Sequence, residues 1–237
     1  RSSDLASYRN GFDWNSGLKP QRRSWMVSAY TSAHASGASD VKLLRSQTAF
    51  NAALVESNYT KNAVTFIGRN LKHRFPISVG VNVKKRLTDR WGIETGLVYS
   101  YLESSGDLDA EYTYRYKQKI HYLGIPLNLS YSLYQNKRLD IYLQGGGMAE
   151  MALSAHGYTR IFNHGVFASD IDDKLPASGV LWSVGLGAGI SYDFVQNFGL
   201  YLEPGANYYF PNSNQPRSYR TDNPWSFNVR VGFRFKF

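Results

Sequence analysis

The chain has 237 residues, 43% of them apolar, with 27 Lys and Arg against 18 Asp and Glu for a formal charge of +9. That length admits one large all-β domain or two small ones, and we read one. Cysteine is absent, which excludes disulfides and thiolate metal sites, and the cations are scattered, which argues against a nucleic-acid partner. No apolar run approaches the ~18 residues of a membrane helix, and mean hydropathy is −0.40. Aromatics and glycine are abundant, with 18 Tyr, 13 Phe, 5 Trp and 21 Gly, a mixture that favours strands and turns.

Residues 1–23 lack alternation, contain Gly11, Gly17 and Pro20, and read as a linker ahead of a domain at 24–237. No signal pattern stands at the start, so we expect a mature or excised fragment. Eight segments then alternate with the period of a β-strand. Residues 25–35 set Trp25, Val27 and Ala29 against Ser28, Tyr30, Ser32 and His34. Residues 75–87 set Phe75, Ile77, Val79, Val81 and Val83 against Ser78, Gly80, Asn82, Lys84 and Arg86. In 91–103, Trp91, Ile93, Leu97, Tyr99 and Tyr101 oppose Gly92, Glu94, Gly96 and Ser100, with Val98 and Leu102 breaking the polarity. Segments 120–134, 139–154, 180–194, 198–210 and 225–237 follow the same rule.

Connections alternate in length. Residues 88–90, 135–138 and 195–197 are tight polar turns, whereas 36–74, 104–119, 155–179 and 211–224 are expected to be long, polar and irregular. The polar face is mostly Gly, Ser and Asn with a few charges; the opposite face is crowded with Leu, Val, Phe, Trp and Tyr. A soluble barrel fills its interior with bulky apolar groups, so a bare polar face suits the inside of a narrow barrel and a bulky face suits lipid. The expected fold is therefore all-β: an eight-stranded antiparallel up-and-down transmembrane barrel with short periplasmic turns and long extracellular loops, in the outer membrane of a Gram-negative bacterium. Residues 1–23 become a periplasmic linker.

Aromatics on the bulky face cluster at the ends of the segments. Trp25, Trp91, Phe194, Phe198, Phe235 and Phe237 mark the short-turn end; Phe75, Tyr101, Trp182, Tyr208, Phe210 and Trp225 mark the long-loop end. They read as two interfacial girdles. The lumen then receives Lys84, Arg86, Glu94, Asp140, Glu150, Asp193, Glu203, Arg230, Arg234 and Lys236, which must pair because unpaired buried charge is costly. Arg230 or Arg234 is expected near Glu203, with Glu94 and Glu150 as further partners, forming a structural plug.

No catalytic, cofactor or metal site is expected. His34, His73, His121, His156 and His164 occur in no ligand spacing, and His121, facing lipid near the outer rim, reads as a polar anchor. GLGAG at 185–189 has no following helix and is not a dinucleotide fingerprint; GGG at 145–147 reads as relief of lumen crowding or strand bending. Loop 36–74 carries Lys42, Arg45, Lys61, Arg69, Lys72 and Arg74 and the stretch SQTAFNAALVES, one or two amphipathic helical turns, whose cations suit lipopolysaccharide phosphates or a solvated loop.

Four stretches carry a resemblance: DRWGIETGLVYSYL (89–102), HYLGIPLNLSY (121–131), GLYLEPGANYYF (199–210) and PWSFNVRVGFRFKF (224–237). With them the chain resembles the small outer-membrane β-barrel domains of Bacteroidota, and is most similar to the C-terminal barrels of dual-membrane-spanning anti-sigma factors. The resemblance implies a non-enzymatic membrane anchor with a surface-sensing role, and a sigma factor as partner through an N-terminal part that this sequence does not contain. Phe233, Phe235 and the final Phe237 resemble the signal read by the barrel-assembly machinery. The alternative is a self-standing barrel that binds lipopolysaccharide or a surface partner, followed by a lipid-modifying enzyme and a narrow porin.

Overall fold

The structure is a computed structural model and describes residues 24–35, 72–109, 112–175, 177–212, 215–216 and 218–237. The expected linker at 1–23 and helical turns at 46–57 lie outside the described residues. Strands are β1 (Trp25–Ala35), β2 (Lys72–His73), β3 (Ile77–Arg86), β4 (Trp91–Asp109), β5 (Tyr112–Gln135), β6 (Leu139–Asn163), β7 (Val166–Lys174), β8 (Val180–Val195), β9 (Phe198–Tyr209) and β10 (Trp225–Lys236). A single-turn helix, α1 (Tyr219–Asp222), precedes β10.

Eight of the strands close into an antiparallel barrel. β1 pairs with β3 on one side and β10 on the other, Val27 lying opposite both Val83 and Phe235. The remaining pairings run β3–β4–β5–β6–β8–β9–β10. β2 adds a short rung beside β4, and β7 folds back on β6. Closure removes every edge from the membrane section, the requirement for strands that have no water to bond to in hydrocarbon. Among the described residues no helix is long and apolar enough to cross a membrane.

The polarity of the wall is inverted relative to a soluble barrel. Leu186, Leu127 and Phe233 are 76%, 58% and 52% exposed, whereas Glu94, Glu150 and Arg234 are 2%, 0% and 1% exposed. Close packing inside depends on glycine at particular points: the Tyr30 ring lies over Gly80, where a Cβ would come within 2.6 Å of it, and the Tyr142 ring fills the place of a side chain at Gly189. The glycine run at 185–189 is thus a seat for a lumenal tyrosine. In the 145–147 run, Gly146 faces the lumen against Asn128 while Gly145 lies under Leu186.

Two connections expected to be irregular are regular sheet. β4 and β5 continue as a hairpin to Asp109 and Tyr112, and β6 runs on to Asn163, turning at His164 and Gly165 into β7. The His164–Gly165 turn has φ of 46° and 83°, the left-handed pair that matches strand twist in a tight hairpin. β5 and β6 are 24 and 25 residues long. A tilted membrane strand needs only about 9–11, so both stand far out of the outer leaflet. The alternation of β6 is hidden in the sequence by a bulge: a register shift between His121 and Tyr122 of β5 leaves Leu153 as the extra residue of β6. Below it the even-numbered Asp140, Tyr142, Gln144 and Glu150 are buried, and above it the odd-numbered Ala155, Thr159 and Ile161.

The connection at 211–224 also departs from expectation. Gln215, Ser218, Tyr219 and Arg220 are buried, so this segment folds back into the outer mouth of the barrel.

Candidate functional site

Strand alternation delivers the charges to the lumen, and register pairs them. Arg230 of β10 lies directly across from Glu203 of β9, and Lys84 of β3 across from Glu94 of β4. At mid-height Arg230 Nη1 reaches Glu203 Oε1 at 2.9 Å and Glu94 Oε1 at 4.0 Å, and Arg234 Nη2 lies 4.0 Å from Glu94 Oε2. Tyr142 donates to Glu203 at 2.9 Å and accepts from Arg234 at 3.2 Å, while Asn82 donates to Glu94 at 2.7 Å. Tyrosine rings share the cations: Arg234 stacks over Tyr201 and Tyr142, Arg230 over Tyr30, and Lys84 over Tyr142. Each guanidinium thus meets both carboxylate and π-face, which offsets the cost of removing it from water.

Nearer the periplasm Lys236 pairs with Asp193, and Arg86 lies 3.7 Å from Asp140. The sequence expectation of Glu150 as a further partner of Arg230 or Arg234 is not met. The partner of Glu150 is Arg220 of α1, at 2.5 Å. Arg220 also donates to Ser100 at 3.0 Å and lies over the Tyr209 and Tyr122 rings. Sequence reasoning missed Arg220 because it belongs to no strand and so to no alternating pattern. The available signal was the turn around it, where Thr221 Oγ1 accepts from the Ser218 N–H at 2.7 Å.

Above this level His73 Nδ1 lies 2.7 Å from Ser104 Oγ and His73 Nε2 lies 3.2 Å from Asp222 Oδ2. The three residue types are those of a hydrolase triad, but Ser104 is 2% exposed and the Tyr219 ring stands edge-on to His73. The arrangement ties β2, β4 and α1 together. His121 lies on the outer wall, its Nδ1 2.5 Å from the Tyr99 hydroxyl and its ring 5.3 Å from that of Tyr101. Among the described residues no group of three His, Asp or Glu side chains could hold a metal ion.

Between the charged levels a cavity of about 50 Å³, lined by Asn128, Gln144, Gly146, Glu203, Asn207 and Arg230, has room for a few water molecules and no more. Outside, the girdle positions fall at the two ends of the apolar wall. Trp25, Trp91, Phe194, Phe235 and Phe237 are exposed at the short-turn end, with Phe198 stacked on Phe233. Phe75, Trp182, Phe210 and Trp225 are exposed at the other, where Tyr208 contacts both Phe210 and Trp225 and Tyr101 is half-buried.

The family of outer membrane protein beta-barrel domains matches residues 19–214. The chain belongs to that family. Solved structures similar to it include Ail of Yersinia pestis in complex with the heparin analogue sucrose octasulfate, at 10% identity over 91% of this chain and 99% of that one, with a TM-score of 0.42. Neisserial surface protein A is similar at 15% identity over 90% and 97%, TM-score 0.43. OprG of Pseudomonas aeruginosa is similar at 14% identity over 91% and 96%, TM-score 0.42. No curated protein matches the chain. Membership rests on the family match, and with it the outer-membrane location.

Proposed function

We propose that this outer-membrane barrel is a non-enzymatic, non-conducting anchor that holds a sensing sheet outside the cell for an envelope-spanning anti-sigma protein. The observation that carries the anchor reading is the stack of paired charges across the bore, from Lys236–Asp193 through Arg230–Glu203 to Arg220–Glu150. With every level occupied by side chains, the wall can support a load but has no continuous path for ions. The burial of Ser104 in the Ser104–His73–Asp222 arrangement supports the absence of hydrolysis. The signalling part of the reading is supported by the four resembling stretches and by the sheet that β4 to β7 raise above the outer leaflet. Phe233, Phe235 and Phe237 serve as the assembly signal, so Phe237→Ala should lower the amount of barrel in the outer membrane.

Two measurements test the proposal. Purified barrel in planar bilayers should give no steady conductance, and a stable open level would end the plug reading. Deleting the barrel from the gene should change transcription driven by the cognate sigma factor, and a transcriptome that does not move would leave the self-standing barrel in its place. That second reading has its own support: Lys119, His156 and Lys174 lie in register on β5, β6 and β7, above the Tyr99–His121–Tyr101 cluster, at the height of lipid phosphates.

A further inference from the structure

We propose that the open edge of β7 receives an extended segment of a partner protein by strand addition, and that this segment carries basic residues on either side of a central apolar one. The inference concerns the surface sheet alone and stands whether or not the chain signals across the envelope. β7 is hydrogen-bonded to β6 along one edge only, and among the described residues nothing pairs with the other. Every residue of β7 is exposed except Ile171, which is half-buried. A strand in this position presents a row of unpaired N–H and C=O groups, the template on which another chain can continue the sheet.

The usual devices that blunt such an edge are weak here. β7 contains no proline, its lysine is its last residue, and its bulge, which leaves Ala168 unpaired, lies before the regular run 169–174. What that run does carry is three aspartates, Asp170, Asp172 and Asp173, ahead of Lys174. Asp170 and Asp172 project from one face, Asp170 across from Arg160 and Asp172 across from Tyr158 and 3.6 Å from His156 Nδ1 while still 60% exposed, and Ser169, Ile171 and Asp173 project from the other. Cross-strand neighbours interact most strongly when directly opposite, and like charges there are destabilising. A second copy of β7, added antiparallel about Ile171, would set Asp170 against Asp172 twice. Added parallel, it would set each aspartate against itself. The edge therefore rejects its own copy and favours a strand with Lys or Arg opposite Asp170 and Asp172 and an aliphatic side chain opposite Ile171. The backbone supplies the attraction common to all such pairings; the two aspartates and Ile171 select the sequence.

The test uses the barrel in nanodiscs and an acetylated heptapeptide of alternating lysine and valine, beside its glutamate–valine counterpart and a lysine–valine version N-methylated at alternate residues. The lysine–valine peptide should bind, with protection of β7 amides from hydrogen exchange. The glutamate peptide should bind at least tenfold more weakly, and so should the lysine peptide on D170K/D172K. N-methylation should abolish binding, because it removes donors from the added strand while leaving the charge. Equal binding by the N-methylated peptide would overturn strand addition in favour of a plain electrostatic contact. Equal binding by the glutamate peptide would overturn the selection argument. A lysine–valine peptide that leaves β7 exchange unchanged would overturn the site. Heat-modifiable migration of D170K/D172K confirms that the variant is folded.

Discussion

The lower and upper halves of β5 belong to one hydrogen-bonded strand and alternate with one period, yet they turn their apolar side chains in opposite directions. In the lower half Leu123, Ile125, Leu127, Leu129 and Leu133 point outward and Gly124, Asn128, Ser130 and Ser132 inward. In the upper half Arg115, Lys117 and Lys119 point outward and Tyr114, Tyr116 and Ile120 inward. Nothing in backbone geometry distinguishes the halves, because a strand dictates only that neighbours oppose one another. The medium outside decides which member is apolar. Hydrocarbon below takes leucine, and water above takes lysine and arginine, while tyrosine takes over the interior. His121, bonded to Tyr99 and beside Tyr101, sits at the change of sign.

The interior is one continuous lining, and its charge pairs should be the most expensive to break. Arg220→Leu leaves Glu150 buried without its cation, and losing one partner of a buried pair costs about 3–5 kcal/mol. The urea midpoint of the barrel in lipid vesicles should fall accordingly. Adding Glu150→Leu should restore most of the loss, and a double variant as weak as the single would mean that the pair is not what holds α1 in the mouth. The exterior should respond by location. Leu127→Arg places a cation against hydrocarbon on the lower half and should cost roughly 2–4 kcal/mol if the position lies near the midplane. Lys117→Leu makes the reverse exchange on the upper half and should leave the midpoint where it was. Comparable losses from the two would break the comparison.

The same contrast explains which parts of the structure were legible in the sequence. The eight membrane staves were, because a bulky face against a bare one survives in every segment, and the short turns were, because Thr88–Arg90 and Gln196–Asn197 are polar breaks between long runs. The extension was not. An observer who follows leucine and valine along β5 sees the signal vanish at His121, although the period continues with its sign reversed. On β6 the period itself is interrupted, since the bulge at Leu153 moves the buried set from even to odd numbers. Pairing in the lumen was legible where register alone creates it, as between Arg230 and Glu203. It failed for Glu150, whose partner arrives from α1, a segment with no periodicity.

The smallest effect separates the halves most directly. Tyr116 is buried beneath the upper sheet, where its hydroxyl donates to Gln118 at 3.2 Å. Tyr116→Ala removes an aromatic ring from that interior, a change that in the core of a cooperative unit costs several kcal/mol. The upper hairpin, however, lies beyond the closed part of the barrel, and elements of this kind open below the global unfolding free energy. The loss should therefore appear locally: amides from Tyr114 to Ile120 should exchange faster by tenfold or more, while those from Leu123 to Leu133 and the urea midpoint scarcely move. Equal acceleration along the whole of β5 would show the strand to be a single cooperative unit, and the boundary at His121 would then mark a change of solvent without a change of stability.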